Sequence, residues 1–497
     1  MALTSSNVTS GFIDLATFDE VEKYLYGGPD ATAYFVRETR KSTWFTQVPV
    51  VLSRASGTPA FNQDWSVSIS RAGDYLLQSW LRLTTPTVTL TTSAGASGTK
   101  SIRWTRNFMH NIIQECNITF NDLVAARFDN YHLDFWAAFT VPASKRNGYD
   151  NMVGNISDMI EPHAPTVAIP AQTLNLPLPF FFGRDSGVAL PTAALPYNEM
   201  RINFTFRDWN QLLIISTNDE STNSVQPSAD GSQLVGGIPT LGNCQVWANY
   251  AIVSNDERKR MACAPRDILV EQVQTAPRQS FTPATNAAQS FDIRFSHAIK
   301  VLFFAVRNTT CKSEWSNYST ASPTVKDLGG GELAISFYPT SGAADPVLQT
   351  SLIYENTNRL SQMGSDYFSL VNPWFHAPTI PDLIGFHSYS YSLDFMTLDP
   401  MGSTNFGKLT NVSIVPEASS MAVTAASGNT TTGSGMYYAQ TFEFITTCIN
   451  NNIIRVSGGK PPGVPPTVSC QKRCDNSFLG KQCKLSPPIS STMIECM

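Results

Sequence analysis

The sequence has few charged residues and no long apolar run. Asp, Glu, Lys and Arg make up 15% of its 497 residues, against about 25% in ordinary globular proteins. No apolar run reaches the roughly 18 residues of a membrane-spanning helix, so we expect none. The first 20 residues are polar and include Asp14, Asp19 and Glu20, so we expect no secretory signal.

Patterns typical of metal, cofactor and nucleic-acid sites are also missing. The net charge is −5, which argues against direct nucleic-acid binding. The six histidines are dispersed, with neither an HxH nor an HExxH motif, so we predict no zinc or cupin-type site. The sequence therefore predicts no metal and no cofactor.

Two stretches only approach catalytic motifs. Gly402–Lys408 (GSTNFGK) is similar to a phosphate-binding loop, but Leu409 follows where Ser or Thr would bind Mg²⁺. Gly183–Gly187 (GRDSG) is similar to a serine-protease turn but has no evident His and Asp partners. We interpret both as turns and predict no catalytic residue.

Of the nine cysteines, five lie in apolar or strand-like contexts. Buried free thiols in a reducing compartment are the expected state of these five. The five are Cys116, Cys244, Cys263, Cys311 and Cys448.

The most informative stretch is Leu174–Phe206. Leu174, Leu176 and Leu178 alternate with Asn and Pro, and Met200–Phe206 alternates apolar and polar residues again. Such period-two alternation predicts two half-buried strands. The prolines at 177 and 179 place the first strand at a sheet edge or a corner. Together the two strands predict one sheet folded onto another.

About eight strand-like runs occur in each half, without βαβ alternation, which predicts two tandem antiparallel sandwiches and an all-β fold. We expect helices at Asp122–Thr140 and in the N-terminal arm, where Thr17 and Glu20 fit a capping box. The predicted surface loops are polar or rich in small residues. They are Thr91–Lys100, Ser216–Gly242, Thr309–Pro346 and Ala418–Gly435.

These patterns predict four parts, with a domain boundary near Met261. An N-terminal arm (1–31) precedes a first sandwich (32–260) and a second sandwich (261–457), and a Pro- and Cys-rich tail (458–497) follows. The tail prolines favour an extended, disordered segment. Its cysteines fit no common zinc module, and metal binding, disulfide cross-linking in released particles and a disordered or aberrant extension remain alternatives.

The stretch PLPFFFGRDSGVALPTAALPYNEMRI closely resembles the matching part of iridovirus major capsid proteins, and the resemblance is nearest to invertebrate iridoviruses. Five more stretches carry it, and together they span about Asn7 to Gly459. They are NVTSGFIDLATFDEVEKYLYGG, RAGDYLLQSWLRL, RDILVEQVQTAPR, LIYENTNRLSQMGSDYFSLVNPW and DPMGSTNFGKLTN. The tail departs from the family, whose members typically end soon after a Gly-rich, apolar stretch.

The resemblance implies two eight-stranded jelly rolls per chain and a homotrimer that tiles the icosahedral shell of a large DNA virus. It implies a virion capsid location, assembly in the host cytoplasm, and contacts with neighbouring capsomers and minor capsid or cement proteins. The N-terminal arm either folds back on its own subunit or meets a neighbour, a minor protein or the inner lipid membrane. Alternatives are a minor capsid, penton or spike component, a carbohydrate-binding attachment protein and, with least support, an enzyme.

Overall fold

The computed structural model describes residues 3–37, 39, 41–91, 100–195, 198–217, 225–226, 230–263, 266–329, 332–338, 344–428, 439–457 and 467–470. Most of the predicted tail and the greater part of the predicted loop from Thr91 lie outside these residues. In the described part of the chain, no helix is both long and apolar enough to cross a membrane. The chain divides into two compact units, Met1–Trp44 and Phe45–Met497.

The first unit contains two helices, Leu3–Ala16 (α1) and Glu20–Leu25 (α2). The capping-box prediction is wrong, because Asp19 caps α2 by accepting hydrogen bonds from the backbone amides of Val21 and Glu22. The Thr17 hydroxyl instead donates to a backbone carbonyl of the preceding turn.

The first half of the second unit forms a sandwich, which we call the first roll. Its helices are Phe108–Asn111 (α3), Asn130–Thr140 (α4), Ala143–Val153 (α5) and Ser157–Ile160 (α6). Its strands are Phe45–Val51 (β1), Ser53–Gly57 (β2), Asp64–Ser68 (β3), Tyr75–Thr84 (β4), Val88–Thr89 (β5), Lys100–Trp104 (β6), Ile113–Phe120 (β7), Leu123–Asp129 (β8), Ala168–Ile169 (β9), Thr173–Pro177 (β10), Met200–Phe206 (β11), Leu213–Thr217 (β12), Val225–Gln226 (β13) and Gly242–Val253 (β14).

The second half forms another sandwich, the second roll. Its helices are Asn255–Cys263 (α7), Asn372–His376 (α8) and Ser420–Ser427 (α9). Its strands are Arg266–Thr275 (β15), Gln279–Phe281 (β16), Phe291–Asp292 (β17), Ala298–Asn308 (β18), Ser322–Gly329 (β19), Glu332–Tyr338 (β20), Val347–Tyr354 (β21), Thr357–Gly364 (β22), His387–Ser390 (β23), Thr404–Asn405 (β24), Val412–Ala418 (β25), Phe442–Ser457 (β26) and Thr467–Cys470 (β27).

The two rolls share one strand order. In the first roll, the sheet β1-β14-β4-β10 faces the sheet β2-β3-β11-β7-β8, and both contribute to one core. In the second roll, β15-β26-β18-β23 faces β17-β25-β21-β22 in the same way. In both, the opening strand pairs antiparallel with the closing strand, β1 with β14 and β15 with β26. This is the arrangement of a jelly roll, so the prediction of an all-β double jelly roll is confirmed.

The two strands of the central stretch behave as their alternation predicts. In β10, Leu174 and Leu176 are buried and Pro177 is exposed, and among the described residues this strand pairs only with β4. In β11, Met200, Ile202, Phe204 and Phe206 are all buried. Because β10 and β11 belong to opposite sheets, the prediction of one sheet folded onto another is confirmed.

Two local predictions are wrong. The helix expected at Asp122–Thr140 begins only at Asn130, because Leu123–Asp129 pairs with β7 and the Asp129 carboxylate then caps α4 by accepting from the His132 amide. The linker predicted from Ala418 contains α9, which buries two alanines and is capped by a serine side chain. Of the predicted tail, the structure describes only Thr467–Cys470 (β27), which pairs with β26, so disorder of the tail stays a prediction.

Helix α4 joins the rolls by covering the outer face of the second roll's β15-β26-β18-β23 sheet. Phe135 and Phe139 stack on Phe303 of β18, with ring centroids 5.8 and 5.2 Å apart. Val301, Phe303 and Ala305 of β18 are fully buried in this cluster. The sheet is therefore apolar on both faces, and its second face is covered by the first roll.

We predict that Phe135→Ala lowers the free energy of unfolding by about 3–5 kcal/mol, because it leaves a cavity between α4 and the second roll. Urea denaturation of the purified protein measures this. Leu123→Ala, at an exposed position of β8, is the control and should change stability by less than about 0.5 kcal/mol. Equal stability of both variants would contradict a stabilising role for α4.

Candidate assembly interface

The two stretches that approach catalytic motifs form turns. Phe406–Lys408 is a 3-10 turn, and the Asn405 side chain accepts a hydrogen bond from the Gly407 amide. A phosphate-binding loop would require a helix N-terminus at this point. In GRDSG, the Asp185 carboxylate accepts from the Gly187 amide. The interpretation of both stretches as turns is confirmed.

Two buried histidines, His110 and His387, each contact a carboxylate of the same chain. His110 Nδ1 lies 2.7 Å from Asp134, and His387 Nε2 lies 2.8 Å from Asp345. Among the described residues, no three His, Cys, Asp or Glu side chains gather closely enough to hold a metal ion. These two histidines therefore make their contacts within the fold.

Asp134 of α4 has a buried carboxylate that accepts hydrogen bonds from donors in both rolls. From the first roll it accepts hydrogen bonds from His110 Nδ1 at 2.7 Å and from Asn107 at 3.0 Å. From the second roll it accepts from Ser316 at 2.8 Å and Tyr318 at 2.9 Å. Because the charge is satisfied only when both rolls contribute, this cluster stabilises one relative position of the rolls.

A second buried cluster lies beside it. Arg103 of β6 forms an ion pair with Glu314 at 2.6 Å, and both side chains are buried. The guanidinium groups of Arg207 and Arg307 lie 3.5 and 4.3 Å from the centre of the Trp315 ring. Burial lowers the pKa of Arg207 to about 10. The segment that follows β18 is thus inserted among first-roll side chains.

This insertion corrects part of the loop prediction for Thr309–Pro346. Residues such as Cys311, Glu314 and Tyr318 are buried, and Ser322–Gly329 pairs with Glu332–Tyr338 in a hairpin. The polar composition was misleading because the polar groups of this segment bind one another and the first roll.

A third cluster links the GRDSG turn to the second roll. Arg184 Nε lies 2.9 Å from Glu271, and Arg184 Nη2 donates to the Met396 carbonyl at 3.2 Å. Lys300 Nζ lies 2.6 Å from the same Glu271 carboxylate. The Arg184 guanidinium also lies 4.3 Å from the centre of the Trp136 ring of α4. Arg184 therefore connects this turn to the second roll and to α4.

Among the described residues of the second unit, at least two groups of apolar side chains are partly exposed. Around α8, the side chains of Trp374, Phe375 and Leu393 are 71%, 70% and 72% exposed. On the outer face of the first roll's β1-β14-β4-β10 sheet, Trp247 and Trp80 stack with ring centroids 6.2 Å apart and are only partly buried. Apolar patches of this kind are typical of protein interfaces.

The buried charges and α8 were missed in the sequence, although signals exist. Lys300 interrupts an otherwise apolar strand (AIKVLFFAV), and Arg103 lies between Ile102 and Trp104. A charge within an apolar strand indicates a buried partner. The partner of each such charge lies far away in the sequence, so the pairing itself could not be predicted.

Comparison with known proteins shows which family the chain matches. A family model described as major capsid protein N-terminus matches residues 33–253, and one described as large eukaryotic DNA virus major capsid protein matches residues 257–461.

Two curated relatives are major capsid proteins. That of Costelytra zealandica iridescent virus is 66% identical, covering 92% of this chain and 98% of its own. That of Tipula iridescent virus is 65% identical, covering 93% and 98%. Among solved structures, PBCV-1 VP54, fitted into a reconstruction of the virophage Sputnik, has a TM-score of 0.66 at 18% identity, covering 85% of this chain and 97% of its own.

We predict that Arg103→Met lowers the free energy of unfolding by about 3–5 kcal/mol, because it leaves the Glu314 carboxylate buried without its partner. The double variant Arg103→Met with Glu314→Leu should recover most of this loss. The control is Arg201→Met, which removes a partly exposed ion pair with Glu199 and should cost less than about 1 kcal/mol. Urea denaturation of the four proteins measures the differences, and no recovery in the double variant would contradict the pairing.

His132 provides a prediction for pH. Burial, and secondarily the charge of Arg184, lower its pKa from 6.5 to about 3. Between these values the unfolded chain binds a proton that the folded chain does not, so stability falls as the pH drops below 6.5 and stops falling near 3. The unfolding equilibrium should shift by up to about tenfold per pH unit.

The test compares wild type with His132→Phe, which keeps the aromatic contacts with Phe128 and Trp136. From pH 7.5 to pH 5, the free energy of unfolding should fall more for the wild type than for His132→Phe, because only the wild type takes up a proton at this position on unfolding. The same loss in both proteins would contradict a neutral buried His132.

Proposed function

The chain belongs to the major capsid protein family of large eukaryotic DNA viruses, and from that premise we propose that three copies form a near-hexagonal capsomer that tiles the viral shell. The observation that carries the proposal is the pair of rolls with one strand order, held together by α4 and by buried charges. Three such chains supply six similar rolls around one axis.

The work of this protein is structural. We propose that it has no catalytic role, because its polar clusters are buried between the rolls and its motif-like stretches are turns. Obligate interfaces bury about 2,000 Å² or more per pair and are apolar at their centre. The uncovered apolar surfaces near α8 and Trp80 suit contacts of this kind within a trimer.

Contacts between trimers should be smaller and more polar, so that misplaced capsomers can dissociate and rebind during assembly. In the described part of one predicted loop, Asp230 and Ser232 carry exposed polar side chains suited to such contacts, although Val235 and Ile238 of the same segment are apolar and also exposed. Minor capsid or cement proteins are further partners that we propose at these junctions.

The N-terminal arm is proposed as a contact beneath the shell. Phe12, Ile13 and Leu15 of α1 and Tyr24 and Leu25 of α2 are exposed. An exposed amphipathic segment of this kind can meet a minor protein, a neighbouring subunit or the inner lipid membrane.

We propose assembly in the reducing host cytoplasm. Cys116, Cys311 and Cys448 are free and buried, and Cys244 is free and partly buried. Burial raises the pKa of the Cys244 and Cys311 thiols to about 12. Thiols held in the protonated form react slowly, so the shell keeps them unmodified.

We also propose that residues 32–260 and 261–457 are the two roll domains. Support comes from the strand bounds, because β14 closes the first roll at Val253 and β15 opens the second at Arg266. The charged helix α7 connects these strands.

Native mass spectrometry tests the capsomer. We expect a species of three times the 54.5 kDa chain mass that persists between 0.05 and 1 M salt, because an apolar interface is little screened by ions. A protein that stays monomeric at micromolar concentration would overturn the proposal, and trimers that dissociate steeply with salt would overturn its apolar interface.

A further inference from the structure

Helix α4 shows how this fold covers the outer face of a sheet. It follows β8 of the first roll directly and packs on β18 and β26 of the second roll. Four of its side chains, Tyr131, Phe135, Ala138 and Phe139, are buried there. Their spacing of i, i+4, i+7 and i+8 forms one helical face.

The second roll carries a matching segment at the same place in its strand order. After β22, a π-helical turn at Tyr367–Val371 leads into α8. A proline follows each helix, at Pro142 and Pro378. When these prolines are aligned, the four buried positions of α4 correspond to Tyr367, Val371, Trp374 and Phe375.

Three of these four side chains are exposed, since the described residues leave much of their surface uncovered. Val371, Trp374 and Phe375 are 42%, 71% and 70% exposed. The opposite side of α8 is anchored, because Asn372 and Pro373 are buried and the Asn372 side chain accepts from the backbone amide of Ser390 at 3.1 Å. The exposed side is thus a fixed apolar face, which we call the α8 face.

The surface that α4 covers in the second roll also has a counterpart in the first. Across the β1-β14-β4-β10 sheet, the residues Val51, Trp247, Trp80 and Pro177 lie opposite one another in a single row. Val51 and Pro177 are exposed, the two tryptophans are partly exposed, and neither tryptophan belongs to a core cluster among the described residues. We call this row the tryptophan row.

We infer that the α8 face of one copy packs on the tryptophan row of a second copy, repeating between chains the contact that α4 makes within the chain. The inference rests on the proposed capsomer and names its interface. The occupant is a second copy because the chain carries both halves of the contact and already forms its counterpart internally. A helix face with two aromatic side chains against a stacked tryptophan pair is also the composition of an interface hot spot.

The contact is head-to-tail, because the α8 face lies on the second roll and the tryptophan row on the first. Head-to-tail contacts close into a ring when each step repeats one rotation. The ring closes if the rotation from the second roll of one chain to the first roll of the next equals the rotation between the two rolls of one chain. Three chains then provide six equal rotations.

The test uses a donor variant, Trp374→Asp with Phe375→Asp, and an acceptor variant, Trp80→Asp. Leu348→Asp is the matched control, since Leu348 is 53% exposed on the other sheet of the second roll. We expect native mass spectrometry to show trimers for the wild type and the control, and loss of trimers for each variant alone.

Mixing the two variants is the decisive measurement. The donor variant keeps an intact tryptophan row and the acceptor variant keeps an intact α8 face, so they should form a one-to-one dimer that cannot close into a ring. Near-UV circular dichroism checks folding, and Val51→Asp, at the exposed edge of the row, replaces Trp80→Asp if that variant unfolds.

The outcomes separate this inference from the proposed function. Variants that remain trimeric would overturn the inference and leave the capsomer standing. Variants that are monomeric alone but form no mixed dimer would overturn the head-to-tail pairing. A monomeric wild type would overturn both the capsomer and the interface.

Discussion

A β-sheet has two faces, and in this protein one sheet of the second roll has its outer face covered by the first roll. The β15-β26-β18-β23 sheet is apolar on both sides, with Leu302 and Phe304 in its own core and Val301 and Phe303 beneath α4. Burial of this outer face is what joins two sandwiches into one building block. The side chains of Ile268, Val270, Ile454 and Val456, which join the first roll's core, extend the same junction.

The buried charges have a different role from the apolar contacts. Replacing a buried ion pair by well-packed apolar side chains is often neutral or stabilising. The Arg103–Glu314 pair and the Arg184–Glu271–Lys300 cluster therefore need not increase the total stability of the fold. The partners in each cluster come from different rolls, so these ion pairs form in only one relative position of the two rolls.

The parts of the fold that could be predicted depend on local patterns. Alternation in Leu174–Pro177 and Met200–Phe206 identified two half-buried strands because side-chain direction repeats every two residues, and the prolines placed the first at an edge. The start of α4 was misjudged because β8 and α4 are joined without a turn signal, and only the Asp129 cap marks the change. The junction could not be predicted, since the second-roll partners of Asp134 and Arg103 lie more than 180 residues away. The exposure of Trp374 and Phe375 could not be predicted either, because an apolar sequence alone does not distinguish an interface helix from a core helix.

The insertion of residues 311–318 of the second roll among first-roll side chains has a consequence for synthesis. While the ribosome is still translating the second half, the nascent first half cannot pair Arg103 or complete the shell around Asp134. Contacts separated by about 200 residues are slow to form and leave intermediates prone to aggregation. The junction between the rolls can therefore form only after the later segment has been translated, so the final packing of the first half follows synthesis of the second.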